Sequence, residues 1–147
     1  MEPVLNKFDD INHWVILFKP RKKMTRWWHP FVRHDFNHVV MLLDIPDKGS
    51  LMVEALDWGI AVRFEPYSID KCIEYYGSDA TAIVSYIANH AYNVDPVPRG
   101  VYTCVSLAKA MMGLRKCLFV ITPFQLYKFL LKNNCVVLKY YVPYTIS

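Results

Sequence analysis

Short apolar runs, none longer than five residues, are the feature that most limits what this 147-residue chain can fold into. A membrane-spanning helix needs about 20 apolar residues, so the sequence predicts none. Nine prolines and five glycines punctuate the chain. The chain is 54% hydrophobic and 20% charged, which excludes a disordered tail and allows a buried core. Its length predicts one domain over residues 1–147.

The first half of the chain predicts strands. Residues 13–18 and 38–45 are apolar, rich in β-branched or aromatic side chains, and followed by turn residues. Two shorter runs, residues 51–56 and 60–64, are separated by Asp57-Trp58-Gly59, which is typical of a tight hairpin turn. Residues 38–64 are therefore predicted to form a three-stranded antiparallel meander.

The second half predicts mainly helices. Helix-start residues or helical spacing of apolar side chains mark residues 68–76, 81–90, 104–114 and 124–132. Thr103 and Thr122 are suitable N-caps for the last two, and Pro123 suits a first helical position. Residues 136–141 predict a final strand. The predicted fold class is therefore α+β, an antiparallel sheet packed with helices.

A basic segment lies at residues 19–33. It carries six positive charges and no acid, which exceeds the net charge of +4 for the whole chain. Three interpretations stay open: a solvated loop whose tryptophans pack on the body, a surface for nucleic acid or an anionic membrane, or the border of a substrate or partner groove. The candidate partner contacts are Lys22, Arg26, Trp27 and Trp28.

The four cysteines show no C-x-x-C spacing, which excludes a zinc ribbon and a dense disulfide framework. The scattered histidines and cysteines predict no metal site, and the absence of a Gly-rich phosphate loop predicts no nucleotide cofactor. Glu2, Asp9 and Asp10 argue against a secretory signal. We therefore expect free thiols and a cytoplasmic or virion-associated location.

One cysteine, one histidine and one acid are candidates for nucleophilic catalysis. Cys104 is the only cysteine placed where a helix is expected to begin, and a helix N-terminus stabilises a thiolate. His38 opens a predicted buried strand, where it can serve as a rigid base. Glu54 interrupts an apolar strand, so it either orients an imidazole on the neighbouring strand or faces solvent by strand alternation. A lone cysteine at a helix start is more often structural.

Four short motifs follow one another along the chain, beginning with His38-Val39, Met52-Val53-Glu54-Ala55, Gly59-Ile60 and Tyr102-Thr103-Cys104. In this order they resemble the circularly permuted branch of the NlpC-like papain-fold superfamily. That branch contains bacterial, viral and phage cysteine hydrolases and lipid acyltransferases. A later Thr122-Pro123 helix start also fits, so the resemblance covers about residues 13–132. The residues next to two of these motifs depart from the family pattern. No glycine follows Val39, and Val105-Ser106 follows Cys104 where the family usually has Ser-Glu or Ser-Gly.

The resemblance implies a permuted papain-like topology with Cys104 as nucleophile, His38 as its base and Glu54 as the orienting acid. It also implies that Tyr102 supplies a hydroxyl near the oxyanion. The expected function is a thiol-dependent hydrolase or acyltransferase acting on an amide or ester bond. Its substrate would be a peptide, peptidoglycan or a lipid acyl group.

Two other function classes remain open. A catalytically degenerate structural or interaction protein on the same fold, such as a small component of a virus or phage particle, would have protein partners in a larger assembly. The 15% aromatic content and the altered motif flanks favour it. A nucleic-acid-binding module using residues 19–33 is the least expected, because a net charge of +4 is modest for that role.

Overall fold

The computed structural model describes residues 13–20, 33, 35–56, 59–87, 103–114, 117–133 and 135–141. Within these ranges, six strands form one antiparallel sheet: β1 (His13–Lys19), β2 (His38–Ile45), β3 (Gly49–Leu56), β4 (Gly59–Glu65), β5 (Ala82–Ile87) and β6 (Cys135–Lys139). Three helices accompany them: α1 (Ile69–Tyr76), α2 (Cys104–Met111) and α3 (Pro123–Leu131). The strand order is β4-β3-β2-β1-β5-β6. The α+β class and the antiparallel sheet are therefore confirmed.

Helices cover both faces of the sheet. Side chains alternate along each strand, so Ile16 and Val39 pack with residues of α2 and α3 on one face. Val15 and Leu42 pack on the opposite face, where Cys72 of α1 joins them. The two central strands β1 and β2 are therefore buried on both sides over most of their length, which explains their unbroken apolar sequences.

The meander of β2, β3 and β4 is confirmed. Val40 on β2 pairs with Glu54 on β3, and Glu54 in turn pairs with Ala61 on β4. The β2–β3 turn needs a glycine at Gly49, where φ is +141° and a Cβ atom would come within 2.3 Å of the Glu65 carbonyl oxygen. The residues between β3 and β4 lie outside the described ranges.

One secondary-structure prediction is wrong. Residues 81–90 were expected to be helical, but Ala82–Ile87 is strand β5. The residues alternate between the two faces: Ala82 and Val84 enter the α2–α3 side of the core, while Ile83 enters the α1 side. This strand pairs with the edge of β1 that β2 leaves open, and β6 pairs with its other edge. Sheet pairing therefore overrides the local helical pattern.

The other helices begin at the predicted residues. Ser68, Thr103 and Thr122 are the N-caps of α1, α2 and α3, and Pro123 occupies the first turn of α3. The helix that starts at Cys104 ends earlier than predicted, at Met111, and Gly113 follows it with a φ of +70°. No helix in the described part of the chain is long and apolar enough to cross a membrane.

Candidate active site

Cys104 is the first residue of α2, and a reciprocal pair of hydrogen bonds fixes that helix start. The Ser106 amide donates to Thr103 Oγ1 at 3.0 Å, and the Thr103 amide donates to Ser106 Oγ at 2.9 Å. This capping box satisfies backbone donors that a helix N-terminus otherwise leaves unpaired. Cys104 itself is half-buried, and the positive end of the helix dipole favours an anion at its position. The arrangement therefore suits a thiolate that a substrate can reach.

His38 and Glu54 meet across two neighbouring strands. His38 is the first residue of β2 and only 7% exposed. Because Val40 pairs with Glu54, His38 is a diagonal neighbour of that carboxylate, a separation that long side chains can bridge. His38 Nε2 lies 2.6 Å from Glu54 Oε1, a short distance typical of a charge-assisted hydrogen bond.

The surroundings of His38 favour its charged form. Burial acts to lower the pKa of the imidazole, but hydrogen bonds and charge attraction from the Cys104 and Glu54 side chains outweigh it. Together they raise the pKa of His38 from 6.5 to about 9. Glu54 occupies Nε2, so a hydrogen bond from the ring to a nucleophile would use the other nitrogen, Nδ1. The hydrogen bond to Glu54 and the attraction of the Cys104 side chain therefore both favour the protonated imidazole.

Asn37, directly before His38, was missed by the sequence analysis. It is 5% exposed, and neither its Nδ2 nor its Oδ1 atom has a hydrogen-bond partner within the described ranges. A buried amide without partners costs free energy, so such groups are few in native proteins. A sequence signal for it does not exist, because its burial depends on how the start of β2 packs.

The remaining predicted site residues fall outside the described ranges. Tyr102 is one of them, so its hydroxyl near the oxyanion stays a prediction. The same holds for the four candidate partner contacts in the basic segment: Lys22, Arg26, Trp27 and Trp28.

The two ends of the basic segment are described, and both are held by the body of the protein. Lys19 Nζ lies 2.9 Å from Asp79 Oδ1. The Arg33 guanidinium lies 4.2 Å from the centre of the Phe124 ring, and it also donates a hydrogen bond to the Tyr141 hydroxyl. These two of the six positive charges are therefore engaged within the protein.

The other three cysteines do not share the environment of Cys104. Cys72 is a buried residue of α1, whereas Cys117 and Cys135 are half-buried like Cys104 but do not begin a helix; all four cysteines are free thiols. Burial raises the pKa of Cys135 above its ordinary value. In the ranges that the structure covers, no group of three or more His, Cys, Asp or Glu side chains could hold a metal ion.

Comparison with known proteins found no matching family model, no similar curated protein and no similar solved structure. A function for this chain is therefore inferred from the hydrogen bond between His38 and Glu54, from the position of Cys104 at a helix start and from the order of the sequence motifs.

Proposed function

We propose that the protein is a thiol-dependent hydrolase or acyltransferase with a permuted papain-like topology, acting on an amide or ester bond. One observation carries the proposal: the buried imidazole of His38 is hydrogen-bonded to the Glu54 carboxylate, and the Cys104 side chain at the start of α2 helps to raise its pKa. A nucleophilic cysteine needs a base within reach and a third group that orients that base. The motif order described above supports the same assignment.

The chemistry follows from the protonation state of this arrangement. The Cys104 sulfur attacks the substrate carbonyl carbon as a thiolate, and the proton resides on His38. The tetrahedral intermediate collapses when the imidazolium gives its proton to the leaving amine or alcohol, which leaves an acyl-thioester on Cys104. Neutral His38 then takes a proton from water or an acceptor alcohol, whose oxygen attacks the thioester and releases the acyl product.

Two further groups assist these steps. Glu54 is a positioning residue, because it fixes the His38 ring and stabilises its charged form without contacting the substrate. The backbone N–H of Cys104 at the start of α2 is a donor for the developing oxyanion, and Tyr102 is the second donor that the family resemblance implies. The substrate classes proposed are cell-wall peptides and lipid acyl groups.

A second candidate function is supported by the surface of β4. This edge strand presents Ile60, Val62 and Phe64 on the face that carries α2 and α3, and all three side chains are exposed. Exposed apolar side chains in a row are typical of protein interfaces. We therefore keep as the alternative a catalytically degenerate interaction protein, such as a small component of a virus or phage particle.

Alkylation of Cys104 by iodoacetamide separates the two functions. Peptide-level mass spectrometry reads all four thiols in one sample, so Cys135 serves as an internal comparison. At about pH 6.5 we expect Cys104 to react faster than the other three thiols. His38→Ala should slow the alkylation of Cys104 at least about tenfold, because the imidazolium no longer stabilises the thiolate. Glu54→Gln should slow it less.

A matched control is His13→Ala, which removes another strand histidine. His13 lies at the opposite end of β1 from Lys19, the residue that pairs with His38, and its ring contacts Ser85 at 2.6 Å. Its removal should leave the alkylation rate of Cys104 unchanged. A slow Cys104 that is indifferent to His38, in a variant whose circular dichroism is native, would refute the enzyme and favour the interaction protein.

A further inference from the structure

A cleft of about 470 Å³ lies between β4 and α1. Register places it on the α1 side of the sheet, because Arg63 pairs with Met52, whose side chain packs with the α1 residues. Its walls include Arg63, Glu65, Tyr67, Lys71, Tyr75 and Tyr76. The volume falls within the range of about 300–1,000 Å³ that is usual for small-molecule sites. None of these lining residues has a role in the thiol chemistry proposed above.

The positive charges of the cleft are available to a ligand. Arg63 and Lys71 are both exposed, and within the described ranges neither lies within ion-pair distance of an acid. A hydrogen bond with Tyr76 and charge attraction from Glu65 and Glu54 nevertheless raise the pKa of Arg63. Glu65 is the one acid among the described lining residues, and Tyr76 donates a hydrogen bond to it at 2.5 Å. That hydrogen bond raises the pKa of Tyr76, so the hydroxyl stays protonated and keeps the Glu65 carboxylate occupied. The cleft therefore favours an anion.

The aromatic rings of the cleft offer a flat apolar surface beside these charges. Tyr75 is 76% exposed, and its ring stands edge-on to Tyr76, with 4.9 Å between the ring centres. Tyr67 is also exposed, but Lys71 Nζ lies 4.5 Å from its ring centre and covers it. Tyr75 is thus the ring against which a planar group can stack. Cations next to an open aromatic face are the combination that binds a phosphate attached to a base or another ring.

We propose that this cleft binds a small phosphate monoester that carries a planar ring. Arg63 and Lys71 contact the phosphate oxygens, and Tyr75 stacks on the ring. The Tyr76 hydroxyl lies 3.5 Å from an Arg63 nitrogen, between the guanidinium and Glu65, and so restrains the arginine. The site lies beyond the proposed thiol activity and does not depend on it.

A titration of the full chain followed by amide NMR signals tests the proposal. Adenosine 5′-monophosphate and phenyl phosphate are the probes, and adenosine and inorganic phosphate are the two halves tested alone. We expect the monophosphate to shift the amide signals of Lys71, Tyr75 and Tyr76 at submillimolar concentration. Each half alone should bind at least about tenfold more weakly, because it uses only the charges or only the ring. Binding of phenyl phosphate as tightly as the nucleotide would identify the ring, rather than the base, as the requirement.

Variants assign the binding to the cleft. Arg63→Gln and Lys71→Gln should each weaken the binding of adenosine 5′-monophosphate about tenfold, and Tyr75→Leu should weaken the nucleotide but not inorganic phosphate. The matched control is Lys128→Gln, which removes an exposed lysine of α3 and should leave affinity unchanged. The proposal is overturned if millimolar nucleotide moves none of the three signals, or if Arg63→Gln and Lys71→Gln bind as the wild type does.

Discussion

The charge on His38 should make the protein less stable as the pH rises. The folded protein raises the pKa of His38 from 6.5 to about 9, so it holds the proton more tightly than the unfolded chain. The resulting stabilisation is complete below about pH 6.5 and is lost as the pH rises through about 9. Each pKa unit corresponds to about 1.4 kcal/mol, so the loss approaches about 3 kcal/mol.

Urea unfolding followed by tryptophan fluorescence, repeated between about pH 6 and pH 10, measures this effect. His38→Gln keeps a polar side chain but cannot bind the proton. The difference in unfolding free energy between the wild type and this variant should therefore shrink by up to about 3 kcal/mol across the range. Glu54→Gln removes one of the groups that raise the pKa, so the pH dependence should become shallower. Cys104→Ser separates the titration of the thiol from that of the imidazole.

The result that would refute this reasoning is a pair of parallel profiles. If the wild type and His38→Gln lose stability equally between about pH 6.5 and pH 9, then the His38 imidazole binds its proton equally well in the folded and in the unfolded protein. The links from His38 to Cys104 and Glu54 would then have no energetic consequence, and the electrostatic support for the thiol chemistry would be gone.

Two further substitutions test the residues around the site. Thr103→Ala removes the N-cap of α2, so it should destabilise the protein by about 1 kcal/mol and slow the alkylation of Cys104. Thr122→Ala removes the corresponding N-cap of α3 and should destabilise the protein by a similar amount without changing the alkylation rate of Cys104. Asn37→Leu should raise the free energy of unfolding by about 1–3 kcal/mol, because it removes a buried amide without described partners; a loss of stability in urea would contradict that account.

The strands of the first half were predictable because their sequences satisfy both local preference and burial. The runs at β1 and β2 are apolar without interruption, and the structure covers both faces of these strands. The error at residues 81–90 has the opposite origin. Ala82–Ile87 has apolar residues at helical and at strand spacings, and the choice between them depends on the open edge of β1. Which strand needs a partner is a property of the whole sheet.

The residues of the two candidate sites also differ in whether local sequence features could reveal them. Local features marked all three residues: Cys104 at a helix start, His38 at a strand start, and Glu54 as an acid that interrupts an apolar strand. No local sequence feature indicates the cleft between β4 and α1. Arg63 and Lys71 lie on separate elements, and only the packing of α1 against the sheet brings them together. Similarly, nothing distinguishes Asn37 from any loop asparagine until its burial is known.

The strand order of the sheet has a consequence for the order of events during synthesis. The β2–β3–β4 meander closes short loops, and His38 and Glu54 are only 16 residues apart, so these contacts cost little chain entropy and can form first. The central strand β1, although it is made earliest, must wait for β5 to cover its second edge. Cys104 emerges later still. We therefore expect the nascent chain to pair its base with its acid before the thiol leaves the ribosome, so that the reactive cysteine docks onto a partner that is already assembled.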